Sequence, residues 1–72
     1  MTKLPVLSGK EIFKALYRMG FQPIRQKGSH VFMQHADGRC TVVPMKPQIG
    51  KGLLKRILNE IDINAEELRK YL

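Results

Sequence analysis

Val31-Phe32-Met33-Gln34-His35-Ala36-Asp37-Gly38-Arg39-Cys40-Thr41-Val42-Val43 is the stretch whose reading decides the fold. Two runs rich in apolar and β-branched residues flank Asp37-Gly38, a dipeptide that favours the tight connection of a β-hairpin. Strands are expected over Val31–Ala36 and Cys40–Val43. With Asp37 and Gly38 as a two-residue turn, His35 faces Cys40, Met33 faces Val42 and Val31 faces Pro44. That side is apolar and reads as the core side. The other side then carries His30, Phe32, Gln34, Arg39, Thr41 and Val43. A three-residue turn with a bulge would shift the pairing by one and flip one strand.

Upstream of the hairpin, Phe21–Lys27 lacks helical periodicity and contains Pro23, so it reads as an edge strand. Gly20 before it is a natural helix stop. Ser8 and Glu11 have the spacing of a capping box, with Leu7 and Ile12 at the positions of a hydrophobic staple. A helix over Gly9–Met19 follows, with Ile12, Leu16 and Met19 on one stripe. Met1–Leu7 reads as an extended lead-in, because Pro5 discourages helix.

Downstream, Pro44-Met45-Lys46-Pro47-Gln48 reads as a loop. A second helix is expected over Gly50–Ile61, burying Leu53, Leu54, Ile57, Leu58 and Ile61 and leaving Lys51, Lys55 and Arg56 off the apolar face. Asn64 and Glu67 repeat the capping-box spacing, and Ile63 with Leu68 the staple, at the head of a short helix over Ala65–Tyr71. The order is α-β-β-β-α with an added terminal helix. Two amphipathic helices can bury their stripes on one face of a three-stranded antiparallel sheet. The expectation is an α+β fold of double-stranded-RNA-binding-domain-like arrangement, a single domain over residues 1–72, with the second sheet face left open.

Thirteen Lys and Arg against six Asp and Glu give a formal net charge of +7. Between Ile12 and Asn59 nine cations accompany one anion, Asp37, whereas Glu60–Leu72 holds four acids and two bases. Such a body suits a polyanionic partner. Nucleic acid comes first, an acidic protein second and an anionic membrane surface a distant third; a merely solvated basic surface is the plain alternative. No apolar run approaches the ~20 residues of a membrane span, and Cys40, the one cysteine, has no internal partner. The expectation is a soluble, cytoplasmic protein.

Arg25-Gln26-Lys27-Gly28-Ser29-His30 places two cations, a glycine and a hydroxyl directly before a histidine. Read as chemistry, His30 is a general acid or base acting on a ribose 2′-hydroxyl or a leaving 5′-oxygen, with Arg25, Lys27 and nearby amides holding the phosphate. Read as structure, it is a polar strand start bonded to a carbonyl. His35 stands five residues on and therefore points to the opposite face, which favours a structural role. A zinc site of His30, His35 and Cys40 lacks a fourth ligand; on the expected register only His35 and Cys40 share a face. No cofactor is expected. Gly50-Lys51-Gly52 reads either as an anion cradle at a helix start or as a flexible lead into the helix. Phe32 and Val43 form an apolar pair on the open face, suited to a base or a partner.

Gly20-Phe21, Arg25–His30, Asp37-Gly38, Val42-Val43-Pro44 and Gly52-Leu53-Leu54-Lys55-Arg56-Ile57-Leu58 occur in this order in the HicA toxin family, which the chain resembles from Ser8 to Ile63. The resemblance implies an mRNA-cleaving toxin neutralised by a HicB-like antitoxin, and it leaves open a higher-order toxin–antitoxin complex; the basic body, the open face and His30 make the expectation a metal-independent endoribonuclease. It assigns the catalytic histidine to His30, with Gly28 and Ser29 as the conformational part of the motif. Many relatives have a second histidine after the valine-proline. Lys46 stands there instead; it can contact phosphate, and the second proton carrier is then a lysine, a water or a group from elsewhere. Leu53 replaces a frequent threonine, and the terminal helix is an addition. A non-catalytic RNA-binding module of the same fold is the alternative.

Overall fold

The computed structural model describes residues 6–72. Its elements run α1 (Gly9–Arg18), β1 (Phe21–Lys27), β2 (His30–His35), β3 (Cys40–Pro44), α2 (Lys51–Glu60) and α3 (Ala65–Arg69). The fold is α+β, with a three-stranded antiparallel sheet in the order β1-β2-β3. Of the lead-in expected over Met1–Leu7, only Val6 and Leu7 lie within the described residues.

Local signals set the helix ends. Ser8 Oγ accepts from the Glu11 N–H at 3.1 Å and Glu11 Oε1 accepts from the Ser8 N–H at 3.0 Å, a complete capping box. At α3 the Asn64 side chain accepts from the Glu67 N–H at 2.8 Å. The staple residues Leu7, Ile12, Ile63 and Leu68 are all buried. Each helix is one or two residues shorter than its apolar stripe: Met19 and Ile61 act as C-caps, and α3 closes at Lys70.

The core joins Ile12, Ala15 and Leu16 of α1 to Phe21, Val31, Met33 and Val43 of the sheet and to Leu54, Ile57 and Leu58 of α2. Leu68 closes it from α3. Leu16 is fully buried, so truncation to alanine there would cost about 2–5 kcal/mol. Among the described residues no helix is long and apolar enough to cross a membrane.

The hairpin register departs from the two-residue-turn expectation. His35 pairs with Arg39 instead of Cys40: the His35 N–H donates to the Arg39 carbonyl at 2.7 Å, and Gly38 N–H donates to the His35 carbonyl at 2.9 Å. Ala36, Asp37 and Gly38 thus form a three-residue connection whose last residue has φ +98°. Asp37 selects it, because its carboxylate accepts from both the backbone N–H (3.0 Å) and Nε (2.8 Å) of Arg39. Asp side chains close turns on the N–H two residues ahead. The ladder then reads His30↔Pro44, Val31↔Val43, Phe32↔Val42, Met33↔Thr41 and Gln34↔Cys40.

One strand is therefore flipped. Val43 is fully buried and Thr41 nearly so, while Val42 and Cys40 join Phe32 on the open face. Thr41 tolerates the interior because its hydroxyl donates to Glu60 Oε1 at 2.7 Å; a buried hydroxyl without such a partner would be costly. The apolar pair on the open face is consequently Phe32 with Val42, not with Val43.

A second irregularity lies in β1. The pairing with β2 skips between Pro23 and Arg25, leaving Ile24 as the extra residue of a bulge that is 58% exposed. Pro23 cannot donate to the ladder, and bulges accommodate such positions at edges. Up to the skip Phe21 and Pro23 lie on the core side; beyond it Arg25 pairs with Phe32 and Lys27 with His30. A regular strand would have turned both cations toward the core.

Candidate functional site

The two irregularities assemble the open face row by row. Lys27, His30 and Pro44 form one row, Arg25, Phe32 and Val42 the next, and Gln22, Gln34 and Cys40 the third. Gly28 and Ser29 connect β1 to β2. Gly28 has φ +60°, a conformation that L side chains adopt at a cost, and no atom lies within 4 Å of where its Cβ would be. Its requirement is conformational, not steric. The Gln26 amide donates to the Gly28 carbonyl at 3.0 Å and closes the turn over itself.

His30 begins β2 and is exposed. Among the described residues nothing hydrogen-bonds its ring, so the carbonyl partner of the structural reading is not there. The ring borders an open cleft of about 450 Å³, lined by His30, Val42 and Pro44 from the sheet, Lys46 from the following loop and Leu53, Arg56, Ile57 and Glu60 from α2.

Lys46 reaches this cleft because its loop is pinned from three directions. The Met45 N–H donates to the Ser29 carbonyl at 2.7 Å, extending the ladder by one pair beyond His30. The Gly9 N–H donates to the Lys46 carbonyl at 2.8 Å, and the Ile49 N–H to the Leu7 carbonyl at 2.6 Å. The start of α1 therefore anchors the loop across from the glycine-serine-histidine motif.

The candidate residues fall into three sets. His30 and Lys46 share the cleft, and Lys27 pairs with His30 at its rim. Arg25 lies one row away with its guanidinium carbon 5.3 Å from the Phe32 ring centroid. Lys51 is the exposed first residue of α2 and does not line the cleft. In the other direction the cleft gains Arg56 and Glu60. Helical spacing marks Arg56 only as a cation off the apolar stripe. Its neighbourhood with His30 depends on how α2 lies beside β3. Glu60 is held by Thr41 and lies 3.9 Å from the Arg56 guanidinium.

His35 is engaged elsewhere. Its ring is half-buried edge-on to Phe21 at 5.1 Å, and its Nδ1 accepts the Asp37 N–H at 3.1 Å. The register also corrects the pairing of His35 with Cys40 on one face: Cys40 lies on the open side with Gln34. Among the described residues no three His, Cys, Asp or Glu side chains gather where they could hold a metal ion.

The model of the HicA toxin of bacterial toxin–antitoxin systems matches residues 9–63. The chain belongs to the HicA toxin family. The HicA match spans α1, the whole sheet and α2, hence every residue of the cleft. It ends before α3, which packs Leu68 into the same core. No curated protein matches the chain. Within a HicA chain the arrangement offers an imidazole with no hydrogen-bond partner among the described residues, two cations in the same cleft and two more, Arg25 and Lys27, on the outer strand. Those groups can bind a phosphodiester and exchange a proton with a hydroxyl beside it.

Proposed function

We propose that this HicA-family toxin is an endoribonuclease that cleaves mRNA with His30 as the general acid/base. The observation that carries the reading is the exposed His30 ring, without a hydrogen-bond partner among the described residues, in one cleft with Lys46 and Arg56. In this reaction His30 takes the proton of a ribose 2′-hydroxyl as that oxygen attacks the adjoining phosphorus. The bond from phosphorus to the 5′-oxygen breaks, giving a 2′,3′-cyclic phosphate and a 5′-hydroxyl. The nucleophile belongs to the substrate, so no metal-bound water is required. Lys46 and Arg56 neutralise the charge that builds on the phosphate, with Lys27 and Arg25 holding the strand on either side. Lys46, or water beside it, supplies the proton for the departing oxygen. Gly28 and Ser29 set the turn that delivers His30. Lys51, outside the cleft, serves a more distant phosphate.

A HicB-like antitoxin neutralises the toxin in this reading, since a basic face that binds RNA also suits an acidic protein surface. The test is cleavage of RNA by the purified chain in chelator, beside His30→Ala and His35→Gln. Fragments bearing cyclic phosphate from the parent and from His35→Gln, and none from His30→Ala, are expected. Equal cleavage by His30→Ala would sink the mechanism. Salt-sensitive RNA binding with no cleavage by any of the three favours the non-catalytic module.

A further inference from the structure

We infer that the open face carries a subsite for one unpaired nucleobase, formed by Phe32, Val42 and Ile24 with the Arg25 guanidinium at the Phe32 ring, next to the phosphate held at His30. The inference rests on the RNA-cleavage reading and adds to it the form of RNA that the site accepts.

A second depression, of about 250 Å³, lies on this face; Ile24, Phe32, Cys40 and Val42 line it, with Glu60 at its wall. Val42 and Glu60 also line the His30 cleft, so the two hollows adjoin across these side chains. They differ in chemistry. The first holds the imidazole and two cations, which outweigh the shared Glu60 carboxylate. The second is mostly apolar, and its one charged wall residue is a carboxylate, which repels phosphate and accepts from an N–H edge. A flat, largely apolar group with polar edges fits there, and a nucleobase is such a group.

Spacing supports the division. Phe32 follows His30 by two residues on one strand face, about 7 Å along β2, the reach of one nucleotide. A phosphate at His30 therefore leaves the neighbouring base over Phe32. Arg25 already lies over that ring at 5.3 Å, and bases stack on aromatic rings and on guanidinium planes alike. A base within a duplex is stacked on its neighbours and unavailable to such a hollow. The site thus takes single-stranded RNA, or a strand splayed at a loop.

Binding is measured on the His30→Ala chain, so that the RNA stays intact whether or not the parent cleaves it. The probes are a short mixed-sequence oligoribonucleotide and its blunt duplex. Adding Phe32→Leu is expected to weaken the single strand about 5- to 150-fold, the range for losing one stacked base, and to change duplex affinity by less than about twofold, because phosphate contacts carry it. Phe32→Trp supplies the only indole in a chain that has no tryptophan. Its fluorescence should be quenched by the single strand and not by the duplex. Unchanged single-strand affinity in Phe32→Leu, equal losses on both probes, or an unquenched indole would each overturn the subsite. Should the parent still cleave RNA, the nuclease reading survives that result and the apolar hollow passes to a protein partner.

Discussion

Arg25 stands opposite Phe32 across the β1–β2 ladder, its guanidinium carbon 5.3 Å from the ring centroid, because the bulge at Ile24 turns the second half of β1 over. The contact is exposed, and cation–π pairs in such settings contribute about 0.5–1 kcal/mol. Arg25→Ala should therefore lower the melting temperature by only a few degrees, about 4–8 °C per kcal/mol in a domain of this size. Its effect on RNA should be larger in kind. The slope of log affinity against log salt should flatten by about 1, as for loss of one phosphate contact. An unchanged slope in a salt titration would remove Arg25 from the RNA-binding set.

Arg56 and Lys51 offer a direct contrast, since both are exposed cations of α2 and only Arg56 lines the His30 cleft. Arg56→Ala should flatten the salt slope by about 1 and reduce cleavage. Lys51→Ala, at a more distant phosphate, should flatten the slope similarly but reduce cleavage less. Stability should barely register the first change, because the Arg56–Glu60 pair is an exposed i,i+4 contact at 3.9 Å, and such pairs contribute about 0.3–0.5 kcal/mol. Equal losses of cleavage for the two variants would deny the cleft its special place.

Gly9 is confined by the loop that carries Lys46. A Cβ at Gly9 would lie 2.0 Å from the Pro44 carbonyl oxygen and 2.8 Å from the Met45 Cα, both backbone atoms. Gly9→Ala must push that loop away or unseat the start of α1. Overpacking of this kind costs about 1–3 kcal/mol, and RNA cleavage should fall further than stability because Lys46 moves with the loop. Gly52 is the control: it lies within α2 with nothing within 4 Å of a built Cβ. Gly52→Ala should stabilise by about 0.4–1 kcal/mol. Thermal melts of the two variants should move in opposite directions.

Asp37 makes the hairpin sensitive to acid. The Arg39 backbone N–H, and then its guanidinium, hold the Asp37 carboxyl below the usual carboxylate range. A carboxyl whose folded pKa is depressed adds stability above its unfolded pKa of about 3.9. That contribution fades as pH falls through the folded value. The melting temperature of the parent should accordingly drop below about pH 4 more steeply than that of Asp37→Asn. Parallel curves from pH 7 to pH 2 would show that the Asp37–Arg39 contact does not stabilise the native turn.

Much of the fold is legible in the residues themselves. Ser8 with Glu11 and Asn64 with Glu67 announce two helix starts, and Gly20 separates α1 from β1. The apolar spacing of α2 names Leu54, Ile57 and Leu58 as core. These signals are local: a cap involves residues three apart, and a helical stripe repeats whatever it packs against. His30 and Lys27 also stand out as a cation–histidine cluster, and the fixed alternation along β2 separates His30 from His35. Arg56 and Glu60 do not stand out, because nothing in the spacing of α2 tells which exposed positions border the sheet.

The sequence alone determined the element order, the helix ends to within one or two residues, and the opposite orientation of its two histidines. Tertiary structure decided which face each strand turns to the core. Side chains alternate with period two, so a one-residue change in register exchanges the faces completely, and such changes cost the local pattern little. Asp37 closing on Arg39 made the hairpin turn one residue longer, which sent Val43 and Thr41 inward and Val42 outward. The bulge at Ile24 brought Arg25 and Lys27 onto the face of His30. The pinning of the Lys46 loop by Gly9 and Ser29 completed the cleft. Residues 46 and 56 become neighbours of His30 only when those long-range contacts form.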